Sequence, residues 1–142
     1  MRNHEMKDVI ITIKGSSPDE TEETVELVTN GEYSYSGDRA VFSYMESEIT
    51  GMEGTRTTFT VAPDLVTLSR EGTVNATMTF EKGRKHVFLY ETTFGATQLG
   101  VATHDLSCVL GENGGDMEFT YDVDVDNVLL GTSSFKINVR EA

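Results

Sequence analysis

Residues 117–125 alternate without a break. Met117, Phe119, Tyr121, Val123 and Val125 are apolar, and Glu118, Thr120, Asp122 and Asp124 between them are polar. A period of two over nine residues describes a strand with one face in a core and the other in water. The same pattern recurs along the chain. Val9, Ile11 and Ile13 share a phase in 9–14. Val25, Leu27, Tyr33 and Tyr35 share one in 24–36, with Gly31 at an expected bend. In 39–46, Phe42 and Tyr44 oppose Val41. Phe59 and Val61 agree in 55–62, and Val66 and Leu68 agree in 65–70. Val74, Ala76, Met78 and Phe80 alternate with Asn75, Thr77 and Thr79, and Phe135, Ile137 and Val139 mark a last strand.

Turn residues separate these runs: Ser36-Gly37-Asp38, Pro63-Asp64, Glu71-Gly72, the charged stretch 81–85 and the sequence GENGGD at 111–116. The acidic run GSSPDETEE at 15–23 reads as a solvated hairpin end, with a partner-binding tail as the alternative. Two stretches resist a simple phase. In 86–92, His86, Phe88 and Tyr90 compete with Val87 and Leu89 for the inside. Further on, Leu99 and Val101 have one parity, and Leu106, Cys108 and Leu110 the other, so a bulge or break is required near His104-Asp105.

Roughly ten strands, short connections and no helical period predict one all-β domain over 1–142, with 1–7 flexible. Sequential antiparallel strands in that number curl into an up-and-down β-barrel, which removes exposed edges. Its interior is either filled by side chains or holds one small ligand.

The formal net charge of −13 argues against nucleic acid and against anionic membrane surfaces as partners. Solubility is the plain reading of that charge. Cys108 is the one cysteine, so no intrachain disulfide forms, and its shared phase with Leu106 and Leu110 makes it a small core residue rather than a nucleophile. The opening MRNHEMKD has no apolar segment of a secretory signal, and no window reaches the length of a membrane span. A cytoplasmic location is expected, which sets aside the glycosylation sequon at Asn75-Ala76-Thr77.

Residues 122–127, Asp-Val-Asp-Val-Asp-Asn, begin like a calcium loop, but Asn127 stands where glycine is needed and Ser133 where the closing glutamate is needed. His4, His86 and His104 are scattered, so no metal site and no cofactor are expected. The basic cluster from Lys82 to His86 reads as a charged hairpin tip, or else as a docking point for an anionic partner.

Arg70 is the residue that stands out. It follows Val66 and Leu68 in phase and therefore points inward. A buried cation needs a partner or a ligand. Tyr90, Tyr121, Tyr33, Tyr35 and His86 are the side chains that inward phases place as company for it. Such a set suits a carboxylate or phosphate head, which an arginine fork binds bidentately. The competing reading pairs Arg70 with a local acid or lets it reach solvent past Gly72.

Arg70-Glu71-Gly72, Met78-Thr79-Phe80 with Gly83, Tyr90-Glu91-Thr92-Thr93-Phe94-Gly95 and the strand of Tyr121 together resemble the bacterial DUF1934 (YwiB-like) family, over nearly the whole chain. The resemblance implies a calycin-like, lipocalin-type barrel in a cytoplasmic protein of unknown function, and it supplies no catalytic residues. The chain has no Trp, so the Gly-x-Trp mark of extracellular lipocalins is missing.

The leading expectation is a non-catalytic protein that binds a small amphiphilic or anionic ligand around Arg70. A cavity lined by Val66, Met78, Phe119 and Tyr121 would support it, and a solid core with Arg70 paired internally would sink it. The alternative is a protein-interaction module with a filled barrel, signalled by outward Ile10, Val28 and Val41. Homo-oligomerisation stays open, and no acid–base or nucleophile constellation points to an enzyme.

Overall fold

Alternating runs become strands, and short turns make each strand pair with the next. The computed structural model describes residues 6–16 and 24–142. Among the described residues ten strands form: β1 Lys7–Ser16, β2 Thr24–Ser36, β3 Arg39–Met45, β4 Arg56–Ala62, β5 Leu65–Glu71, β6 Ala76–Phe80, β7 Lys85–Thr92, β8 Gly95–Gly111, β9 Gly114–Val125 and β10 Val128–Glu141. One 3₁₀ turn, Glu48–Thr50, follows β3. His4, residues 1–5 in general and the acidic run at 17–23 lie outside the described residues. Lys7, assigned to a flexible start, already pairs with Tyr33.

The strands make one antiparallel sheet in the order β6-β5-β4-β3-β2-β1-β10-β9-β8-β7. This is the up-and-down meander expected, closed by pairing of the first strand with the last, Ile11 with Val139 and Ile13 with Ile137. The ends of the sheet, β6 and β7, then meet. They are tied at Asn75–Glu91 by two backbone hydrogen bonds of 2.9 Å, and Gly83 N–H donates to the Thr103 carbonyl at 2.9 Å. No ladder joins β6 to β7 between these ties, so the barrel is nearly closed, with a seam. Among the described residues no helix is long and apolar enough to cross a membrane.

The parity switch in β8 falls where the sequence requires it. The register with β9 slips between Thr103 and Asp105, leaving His104 as the extra residue. Val101 and Thr103 before it, and Leu106, Cys108 and Leu110 after it, thereby all face the core. In β7 the aromatic phase is turned inward, and Val87 and Leu89 stand in solvent.

Cross-strand rows stack along the inside. Ala40, Val61, Val66 and Phe80 form one, Phe42, Phe59, Leu68 and Met78 the next, and Tyr44, Thr57, Arg70 and Ala76 the third. The middle is filled by rings. Phe80 lies 4.6 Å from Phe119 and 5.0 Å from Tyr121, Phe119 lies 5.4 Å from Phe135, and Phe42 stacks on Phe59 at 4.9 Å. Of the two interiors left open, filled or hollow, the packing at Val66, Met78, Phe119 and Tyr121 is the filled one, so the observation that would support a ligand inside the barrel is not met there: all four are buried in one core cluster with the rings. The reason is volume, because facing rows supply large aromatics where a hollow barrel would need small side chains. Of the outward apolar residues, Val28 is exposed, whereas Ile10 and Val41 are half-buried.

Gly31 lies where β2 passes from its pairing with β1 to its pairing with β3. A Cβ there would sit 2.5 Å from both the Ile11 methyl and the Ser43 carbonyl oxygen. The carbonyl belongs to a paired strand and has no room to retreat. Gly31→Ala is therefore expected to cost roughly 1–3 kcal/mol, measured as a lowered urea midpoint.

Candidate functional site

Arg70 closes the inward phase of β5, and Ala76 beside it offers only a methyl group, too short to cover the guanidinium. The acid that faces it is Glu46, so for the charge of Arg70 the competing reading, a partner from within the chain, is the one observed. This residue follows Met45 and keeps the parity of Phe42 and Tyr44, so it too turns inward. Its peptide is fixed by N–H donation to the Thr55 carbonyl at 2.8 Å. The Arg70 side chain is 12% exposed and that of Glu46 is 1%.

The pair is loose. Arg70 Nε lies 3.9 Å from Glu46 Oε2, an ion pair beyond hydrogen-bond length. Two hydroxyls already supply the carboxylate: Thr57 Oγ1 donates at 2.5 Å and Thr50 Oγ1 at 2.8 Å. The 3₁₀ turn positions Thr50, with Ser47 as its N-cap accepting from Ile49 N–H at 3.2 Å and Gly51 closing it at φ +79°. Glu46 thus offsets the charge of Arg70 without using its donors. Nε is buried with no hydrogen-bond partner, and the guanidinium makes no hydrogen bond among the described residues.

Two phenols share this region. Burial pushes the Tyr44 hydroxyl above its usual range, and the Glu46 charge adds to the rise. Burial pushes Tyr121 up to about 12, with Arg70 and a hydrogen bond to Ser133 opposing it. Tyr121 pairs across strands with Ser133 and Thr103, and Thr103 Oγ1 is a second buried atom without a partner.

The structure thus brings Tyr121 within electrostatic reach of Arg70, and Tyr90 is half-buried on β7 next to the Asn75–Glu91 tie. It separates the other candidates. Tyr33 is fully buried and donates its hydroxyl to the Gly111 carbonyl at 2.6 Å. Tyr35 pairs with Ala40, two rows from Arg70, and lines a small recess with Val61, Pro63 and Cys108. His86 contacts Glu81 at 3.0 Å. The rest of the basic cluster is likewise matched, Lys82 to Asp105, Arg84 to Glu81 and Lys85 to Asp124. Of the calcium-like run, Asp122 accepts from Thr132 at 2.7 Å and contacts His104 at 2.9 Å. Among the described residues no group of three or more His, Cys, Asp or Glu is placed to hold a metal. A hollow of about 480 Å³ lies on the outer face between Lys14, Glu118, Lys136 and Arg140, away from Arg70.

Sequence reasoning missed Tyr44, Glu46 and Thr57. The signal was available: Glu46 extends the phase of β3 as Arg70 extends that of β5, and Thr57 shares the phase of Phe59 and Val61 between them.

The buried phenols give a pH dependence. Tyr33 is also pushed up to about 12, by burial and then by Tyr35. In the unfolded chain a phenol ionises near 10, so the unfolded state loses its proton first as the pH rises. The contribution is complete below about pH 10 and is lost as the pH passes about 12. Urea midpoints are expected to fall steeply across that window, and Tyr121→Phe is expected to lessen the slope.

A family model described as a domain of unknown function (DUF1934) matches residues 11–137. Among curated proteins none matches the chain. The chain is similar to the ywiB protein from Bacillus subtilis, known from a crystal structure, with a TM-score of 0.85 and 22% identity. That match covers 96% of this chain and 93% of the other. At that identity the likeness speaks for the fold alone.

Proposed function

The chain belongs to the DUF1934 family, which carries no assigned activity, and from that premise we propose that it is a non-catalytic binding protein whose Arg70 holds the polar head of a small ligand. The observation that carries this reading is the arginine with its donors unused. A buried donor without an acceptor costs free energy that an acceptor oxygen from a ligand recovers. Glu46 already neutralises the guanidinium, and the chain as a whole is strongly acidic. An amphiphile with a neutral or weakly charged oxygen head is therefore favoured over a small free anion. The ring pack fills the middle of the barrel, so the apolar part belongs beside the half-buried Phe88 and Tyr90 at the seam. Phenols held well above neutral pH are poor proton carriers, which favours binding over acid–base chemistry.

The test uses octanol and octanoate as probes in thermal melts. A ligand that binds only the folded state raises the melting temperature by mass action. Octanol is expected to raise it more than octanoate in the wild type, and neither to do so in the double variant Arg70→Met/Glu46→Gln. No rise with either probe, or an equal rise in the variant, contradicts the proposal.

A further inference from the structure

The β7–β8 hairpin outruns its neighbour. β9 ends at Val125, which pairs with Leu99, so residues 95–98 of β8 are paired only with β7. Which peptide groups face the open side follows from one tie. Glu91 turns its N–H and C=O to Asn75, both bonds 2.9 Å. Its partner across the hairpin, Ala96, therefore turns its own pair away from β7, to the open edge. Gln98, two residues on, does the same.

Open edges in soluble proteins are guarded by Lys, Pro, a bulge or a cover. Residues 95–98 read Gly-Ala-Thr-Gln, all are exposed, and among the described residues nothing pairs with their free side. Residues 92–103 contain no Asp, Glu, Lys or Arg. The strand edge itself is thus uncharged in a chain of net charge −13; the carboxylates nearest it are Glu91, across the hairpin from Ala96, Asp126, and Asp124, which Lys85 matches at 2.8 Å. At the hairpin tip Phe94 is 99% exposed. Val87, Leu89, Val128, Leu129 and Leu130 are exposed on the same hairpin and on the adjoining β9–β10 turn.

We infer that this edge is a homodimer interface, with two copies pairing antiparallel about a two-fold axis between their Ala96 residues. A two-fold interface must be self-complementary, and this one is. Ala96 meets Ala96 with outward peptide groups on both sides. The same register sets Phe94 of one copy opposite Gln98 of the other. There a recess of about 130 Å³ opens, with Val87 and Leu99 as its apolar walls and Gln98, Gly100, Asp124, Asp126 and Asn127 as the rest of its lining. Each copy therefore supplies an exposed ring and a place beside apolar side chains for the ring of its partner. A stable interface takes about 800 Å² from each partner, toward which one buried Phe gives about 200 Å².

Sedimentation equilibrium of the full chain tests this. The wild type is expected to be dimeric. Phe94→Asp is expected to raise the dimer dissociation constant about 30-fold or more, as loss of an interface hot spot does. Ala96→Pro removes an N–H that the isolated barrel leaves unbonded, so it is expected to give a folded monomer with an unchanged far-ultraviolet spectrum. A monomeric wild type, or a Phe94→Asp variant that dimerises as tightly as the wild type, overturns the inference.

Discussion

Phe119→Ala is expected to destabilise the protein by about 3–5 kcal/mol, as aromatic truncations in filled cores do. The ring is fully buried and touches three others, with centroids 4.6 Å from Phe80, 5.4 Å from Phe135 and 5.9 Å from Tyr121. These rings come from β6, β9 and β10, so no one strand can move to fill the hole. Phe119→Leu keeps more of the volume and is expected to cost less. Equilibrium unfolding in urea measures both. A loss below about 1 kcal/mol for Phe119→Ala would mean that the interior collapses freely, as a loosely filled barrel does.

Arg70→Met is expected to cost about 3–5 kcal/mol, because it leaves Glu46 charged and buried. The single change Glu46→Gln strands the guanidinium in the same way. Together the two changes remove both charges while keeping shape, and the double variant is expected to recover most of the loss. A double-mutant cycle in urea reads the coupling. Additive losses would show that the 3.9 Å contact contributes nothing. The rescue matters for function as well, since it gives a folded protein that lacks the proposed donor.

What the sequence discloses here is what short-range chemistry determines. The strict alternation of 117–125 lies wholly within β9, which also takes in Gly114, Gly115 and Asp116 from the stretch read as a turn. The change of parity between Val101 and Leu106 located the bulge at His104, because only an extra residue keeps both sets inside. The inward aim of Arg70 followed from Val66 and Leu68. What stayed hidden depends on distance along the chain. Closure followed from the number of sequential strands, but the register of β1 on β10 joins residues some 130 apart, and no local pattern encodes that. The inner phase of β7 was undecided because both of its sets are apolar, and the choice is made by the strands it packs on. Tyr33 and Tyr35 have the right phase but the wrong height, since strand stagger puts them one and two rows from Arg70.

The account rests on Arg70 keeping its hydrogen bonds for something outside the chain. Native mass spectrometry of the protein purified from its own cells, beside the folded Arg70→Met/Glu46→Gln variant, measures this most directly. The prediction is one small molecule per wild-type chain, containing an oxygen head and an apolar part, and none on the variant. A wild type that carries no ligand, or a variant that carries the same one, contradicts it.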